Sequence, residues 1–220
     1  MDDRTGSGVV ASTSPIDTVP APKRRRLGRD ERRRQLIEAA VQLIGTSGIR
    51  GTTMSRISAA LDLSEMAAYR HFVSKEELLM EANTYVIGRI LEWLASSANP
   101  SAVLRLRELG ESHFDTLSAD IDLFTAPYLQ FLTMSQDDGP LHQHVVANNL
   151  RMKETIEAIV HDGIAQGSIR PDVDAFLFTH EFVSWFLAED IHCLADLRDG
   201  TFSRSSHLRM LDLILRDIAA

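Results

Sequence analysis

One cysteine, Cys193, stands among the 220 residues, so neither an intrachain disulfide nor a cysteine-rich zinc site can be built. Long apolar runs are also missing: no stretch approaches the roughly 18 uninterrupted apolar residues that a membrane-spanning helix needs. The N-terminus lacks an apolar core with a basic flank and a small-residue cleavage site, so no secretory signal is read there. A reducing, cytoplasmic compartment is the expectation. No segment alternates apolar and polar residues with β-branched enrichment, which leaves strands without a signal. There is no glycine-rich phosphate loop and no nucleophile motif, so the sequence is not read as an enzyme and calls for no cofactor. His142 and His144 lie two apart, on different sides of a helix, without a cysteine or carboxylate partner, and make no metal site.

What the chain does have is an uneven charge. The formal net charge is -8, yet Ala21 to Lys75 holds 12 Lys or Arg against 5 Asp or Glu, while Ala98 to Ala220 holds 9 against 19. A basic first unit joined to an acidic remainder fits a protein whose N-terminal part meets a polyanion and whose remainder does not. Solvated helix faces alone would also produce such blocks.

Residues 1–28 are rich in Gly, Ser, Thr, Pro and Asp and poor in large apolar side chains. They cannot bury enough surface to offset chain entropy and read as a disordered tail with a basic end, Lys23 to Arg26. Helical periodicity then dominates. Leu36, Ile37, Ala40, Leu43 and Ile44 form one stripe of a first helix from about Arg29 to Thr46, with Gly48 placed as its C-terminal cap. Thr53 is an N-cap for a short second helix through Leu61, with Met54, Ile57 and Ala60 inward. Ser64 caps a third helix to about Phe72. Ser74, with Glu77 three residues on, makes a capping box for a long fourth helix reaching about Ala95. Asn99-Pro100 ends it, and further helices are expected near 101–118, 120–135, 140–167, 172–196 and 203–219.

Two short helices joined by a tight turn, behind a longer first helix, match a helix-turn-helix, in which the second member enters the major groove. The candidate DNA contacts are therefore Thr53, Ser55, Arg56, Ser64, Glu65, Met66, Ala67, Tyr69, Arg70, His71 and Lys75. Small residues at Ala67 and Ala68 allow close approach, Tyr69, Arg70 and His71 supply donors, and Phe72 turns back as a core anchor. Thr53, Ser55, Arg56 and Lys75 sit at helix starts, where exposed N–H groups assist phosphate binding. The basic residues from Lys23 to Arg34 are read as sequence-blind phosphate contacts that strengthen binding by counterion release, with a merely solvated tail an equal reading for Lys23 to Arg26.

The same residues resemble a known family. Thr53-Met54 through Ile57, Ala60 to Ser64, Tyr69-Arg70-His71-Phe72 and Ser74-Lys75-Glu76-Glu77-Leu78-Leu79 are similar, in order and spacing, to the DNA-binding domain of TetR-family transcriptional regulators over roughly residues 30 to 80. Three positions depart from the family pattern. Asp62 stands where Gly is usual, and Asp tolerates the left-handed region better than most residues. Glu65 stands where a basic residue is common; its carboxylate repels phosphate but can accept from cytosine N4. Met66 stands where Gly is frequent and can meet a thymine methyl or simply pack. The resemblance implies an all-α fold, with an N-terminal three-helix domain at 29–75, a connecting helix at 76–98 and a helical ligand-binding and dimerisation domain at 99–220. It further implies a homodimer through the last two helices, on an inverted-repeat DNA operator, acting as a repressor released by a small-molecule effector.

The acidic half supports that plan on its own terms. The segment 172–196 carries Phe176, Leu177, Phe178, Phe182, Val183, Trp185, Phe186, Leu187, Ile191 and Leu194 around nearly the whole helix, which must therefore bury more than one face. Candidate effector contacts are His113, Phe114, Tyr128, Phe131, Leu132, Met134, Met152, Phe178, His180, Phe182 and Trp185, a mixture of aromatics and isolated polar groups that suits an apolar or amphipathic ligand. Plain core packing explains many of the same residues. Glu189 and Asp190 are read as surface charge pointing in different directions. The competing reading of the chain is a helical ligand-binding or scaffold protein whose helix-turn-helix no longer reads DNA sequence, with Glu65 as the reason.

Overall fold

The computed structural model describes residues 28–117, 124–134, 139–195 and 203–220. Lys23 to Arg26, Asp120, Asp137-Asp138 and Asp199-Gly200 lie outside them. The described residues form α1 (Arg29–Gly51), α2 (Met54–Ala60), α3 (Glu65–Tyr69), α4 (Lys75–Leu94), α5 (Ala102–Leu117), α6 (Ala126–Leu132), α7 (Pro140–Gln166), α8 (Ala175–Leu194) and α9 (Arg204–Ile218). The fold class is all-α. An isolated antiparallel bridge, Ile169 with Ala219, ties the end of α9 to the turn after α7.

Most helix ends follow from single residues. α1 kinks at Gly48, whose φ of 70° is the left-handed value that favours glycine. The side chains of Thr53, Ser64 and Ser74 accept from the backbone N–H of Arg56, Ala67 and Glu77, satisfying donors that a helix start leaves orphaned. Asp62 takes φ 53° in the turn between α2 and α3, as its short polar side chain allows. Asp174 caps α8 and Gly167 ends α7 with φ 76°.

Four local expectations are corrected. The capping box at Ser74 is displaced: Glu77 Oε2 accepts from the N–H of Val73 at 2.6 Å, one residue upstream of the cap. α3 ends at Tyr69, not Phe72. Ala60 is exposed, and the inward face of α2 is Met54, Ile57 and Ser58, whose hydroxyl donates to the Met54 carbonyl. Of the region expected as a helix over 120–135, the described part is helical mainly at Ala126–Leu132.

The core is continuous from the helix-turn-helix to the last helix. Leu36, Ala40, Ile44, Ile57, Ala68, Phe72 and Leu78 close its first part, and α4 carries it onward through Ala82, Val86 and Leu94. α6 packs on both α1 and α4, while α4 also runs along α7, and α5 supports α7, α8 and α9. A Cβ at Gly110 would come within 2.6 Å of Leu211, so α5 and α9 approach closely there.

Candidate DNA interface and effector cavity

The outer face of α3 is set by what its inner face buries. Ala68 and Phe72 are in the core, at 0% and 1% exposure, so the residues between them and before them turn outward. Met66 is 70% exposed and Tyr69 43%, and Glu65 and Arg70 are also exposed. Ala67 is half-buried. Ala68 is therefore corrected from a groove-facing position to a packing one. Thr53, Ser55 and Ser64 are exposed around the same surface.

Arg33 fixes this head to α4. Its guanidinium lies 4.1 Å over the Phe72 ring, donates to the His71 carbonyl, and pairs with Glu77 and Glu81 at 3.3 Å each. Arg34 pairs with Glu31 at 2.8 Å and Glu38 at 3.3 Å along α1. These two arginines, read from sequence as phosphate contacts, are engaged within the fold. Charge counting could not separate them from free cations, because their acidic partners are up to 48 residues away.

Two of the helix-start cations are likewise anchored. Arg56 donates to the Gly51 carbonyl at 2.6 Å and to Ser47 Oγ at 3.0 Å; Lys75 Nζ donates to the Ile49 carbonyl at 3.1 Å. Burial pulls the Lys75 ammonium below its ordinary value. His71 is half-buried and its pKa is lowered, first by burial and then by Arg29, Arg32 and Arg33. Its Nδ1 is buried without a hydrogen bond.

On the far side of α4 lies a cavity of about 360 Å³, within the range that holds a small molecule. His113, Tyr128 and Met152, candidates from the sequence, line it. So do Arg89, Trp93, Phe124, Phe186 and Asp190, which the sequence reading left out. The remaining candidates lie elsewhere. Phe131, Phe178 and Phe182 are core; Leu132 and Met134 pack against it; His180 is exposed. Phe114 packs tilted against His207 and Trp185 stacks on it, at 5.1 and 4.8 Å between centroids. Helical spacing marks which residues are apolar, but not which of several buried faces meets a hollow.

The expectation for Glu189 and Asp190 is overturned in part. They do point apart, but neither is surface charge: Glu189 is 7% exposed and Asp190 5%. Glu189 Oε2 lies 2.6 Å from His207 Nδ1, and Asp190 lines the cavity with its Oδ1 3.3 Å from His113 Nε2. Each acid has its histidine on another helix, a pairing without a local sequence signal. His144, considered and rejected above as a metal ligand, sits within 2.8 Å of Thr84 Oγ1 and 3.0 Å of Asn148 Nδ2. Asn148 in turn donates to buried Asn83 at 2.8 Å, joining α7 to α4.

An exposed short helix on a three-helix head, with a separate cavity in an all-α body behind it, is the arrangement of a helix-turn-helix regulator that carries its own sensor domain. Residues 36–82 match the sequence model of the bacterial regulatory proteins, tetR family. The HTH-type transcriptional repressor KstR2 of Mycobacterium tuberculosis is 25% identical over 160 residues, covering 67% of this chain and 74% of that protein. A solved TetR transcriptional regulator from Chloroflexus aurantiacus J-10-FL superposes with a TM-score of 0.74 at 25% identity, over 87% of this chain and 98% of that one. A solved Saccharomonospora viridis protein in complex with choline gives 0.70 at 26% identity, over 87% and 99%. The helix-turn-helix domain belongs to the tetR family, and the chain as a whole shares the fold of solved TetR transcriptional regulators.

Described helices include none long and apolar enough to cross a membrane.

Proposed function

We propose that the protein is a homodimeric repressor that leaves an inverted-repeat operator when a small apolar or amphipathic effector fills the cavity behind α4. The observation that carries this reading is the position of α6. Its Tyr128 lines the cavity, while the helix packs directly on α1 and α4, which hold the DNA-reading head. A ligand that moves Tyr128 therefore acts on the elements that set the placement of α3. The effector must bind the two arrangements unequally, since equal affinity shifts no population.

In this proposal Glu65, Met66 and Ala67 face the base edges of the major groove, while Tyr69, Arg70, Thr53, Ser55, Ser64 and the helix starts hold phosphate. Arg56, His71 and Lys75 contribute mainly by fixing the head. Phe176, Leu177, Ile191 and Leu194 on α8, with Met210 and Leu213 on α9, are exposed apolar side chains suited to a twofold interface. That interface would present two recognition helices to two half-sites.

Selection of bound duplexes from a random library, at one fixed salt concentration near physiological strength, tests the reading. Enrichment of an inverted repeat, with half-sites about one helical turn apart or a multiple of it, is the expected result. Weak binding that is indifferent to sequence and collapses at moderate salt would instead favour a scaffold protein, with exposed Glu65 repelling the phosphates.

A further inference from the structure

Asp190 is an expensive residue in an apolar place. It is 5% exposed on α8, in a cavity whose wall includes Trp93, Phe124, Tyr128 and Phe186. A buried carboxylate costs several kcal/mol unless it is paired and hydrogen-bonded. Its Oδ1 is sealed from solvent and accepts no hydrogen bond; His113 Nε2, 3.3 Å away, is also sealed and unbonded. The two stand as an ion-pair contact without a hydrogen bond between them.

The other groups facing the hollow do not supply the missing partner. Arg89, exposed at the cavity's solvent side, is bound to Glu92 at 2.7 Å and lies 5.5 Å over the Phe124 ring. The Tyr128 hydroxyl donates to Asn149 Oδ1 at 3.0 Å, and burial, with Asp190 adding to it, raises its pKa so that it stays a neutral donor. The rings of Trp93, His113 and Phe186, which line the same hollow, are in mutual contact, with centroids 4.2 to 5.9 Å apart. Aromatic faces and one buried acid attract a positive charge and repel a negative one.

We infer that the effector is an organic cation whose ammonium group sits against Asp190 among the faces of Trp93, Tyr128 and Phe186. The apolar remainder of the ligand fills the hollow towards Arg89. This rests on the cavity being the effector site and narrows its ligand class: an anionic acyl chain would meet the carboxylate at its buried end. It also gives Asp190 a purpose beyond pairing with His113, which would make it only a structural ion pair.

Three probes sharing a phenyl body decide between these: benzyltrimethylammonium, benzyl alcohol and phenylacetate, titrated into the full chain without DNA and followed by calorimetry and Trp fluorescence. The expected result is that wild type binds the cation at least tenfold more tightly than either of the others. Asp190→Asn should erase that preference while leaving benzyl alcohol within about twofold, and His113→Gln should keep it. Absence of cation binding to wild type, a preference for phenylacetate, or an unchanged ranking in Asp190→Asn overturns the inference. Should Asp190→Asn not fold, the wild-type ranking decides alone, together with His113→Gln. Because no DNA is present, a negative result leaves the duplex selection, and with it the regulator reading, untouched.

Discussion

His207 Nδ1 lies 2.6 Å from Glu189 Oε2, and its Nε2 lies 2.8 Å from the Gly110 carbonyl oxygen. One buried ring on α9 thus meets a carboxylate on α8 and the backbone of α5, where α5 and α9 approach closely. Both contacts need a proton, one in each hydrogen bond. Removing the ring leaves a buried acid without its partner, so His207→Ala should cost about 3 kcal/mol or more in urea denaturation. Glu189→Gln, which keeps a hydrogen-bonding oxygen, should cost clearly less. Because the bond joins the two helices proposed to form the twofold interface, His207→Ala should also loosen the proposed dimer in sedimentation. Equal stability of His207→Ala and wild type would show that this contact holds nothing.

The recognition helix separates two kinds of contact. Tyr69→Phe removes one hydroxyl and should weaken binding to all duplexes alike, by about 1 kcal/mol. Glu65→Lys should raise general affinity and also change the selected half-site, with about 1–3 kcal/mol redistributed among bases at one position. Gel shifts on the selected duplex and its single-base variants measure both. A Glu65→Lys protein that binds more tightly with an unaltered half-site would place that side chain outside the base edges.

Arg33 should behave as a structural arginine. Its stack on Phe72 and its pairs with Glu77 and Glu81 predict that Arg33→Gln costs about 2 kcal/mol of stability. The slope of log affinity against log salt should stay unchanged, since no phosphate contact is lost. Arg70→Gln should do the opposite, reducing the slope by about 1 at little cost to folding. A salt slope that falls in Arg33→Gln would return Arg33 to the DNA surface.

His71 supplies the pH prediction. Burial, then Arg29, Arg32 and Arg33, hold its pKa below the ordinary value of 6.5. The unfolded chain therefore binds the proton first as pH falls. Stability associated with the neutral ring is fully present above about 6.5 and is lost as pH drops through that value towards the native one. Proton NMR should show the His71 ring titrating below 6.5, with the midpoint rising in Arg33→Gln, which removes one neighbouring cation. A midpoint above 6.5 in the wild type would contradict the geometry.

Asn83 tests the link between body and head. Its side chain is fully buried on α4 and accepts from Asn148 of α7 at 2.8 Å. Asn83→Ala removes one acceptor from Asn148, which keeps its contact with His144, and should cost about 1 kcal/mol. It should also shrink the loss of DNA affinity caused by a saturating effector, without changing effector affinity in isolated binding. An unaltered response would place the coupling in the α6 contacts alone.

Local chemistry made much of this molecule legible before its structure. The caps at Thr53, Ser64 and Ser74 and the positive φ values at Gly48 and Asp62 concern backbone groups within a few residues of one another. Such relations survive in a one-dimensional string. The same string suggested cavity contacts at Phe131, Phe178 and Phe182, because an apolar residue facing a hollow and one facing a neighbouring helix share the same spacing.

By itself, then, the amino-acid order determined the all-α class, the helix starts, the outward-facing set Glu65, Met66, Tyr69 and Arg70, and the basic-to-acidic division of the chain. Helical periodicity, capping and charge are local or additive, and need no knowledge of what packs where. Tertiary structure decided which cations remain available, which acids are buried, and where space is left. Arg33 meets Glu77 and Glu81, Glu189 meets His207, and Asp190 meets His113 only after helices distant in sequence come together. A cavity belongs to none of its lining residues, and arises from how α4 to α8 fail to fill the volume between them.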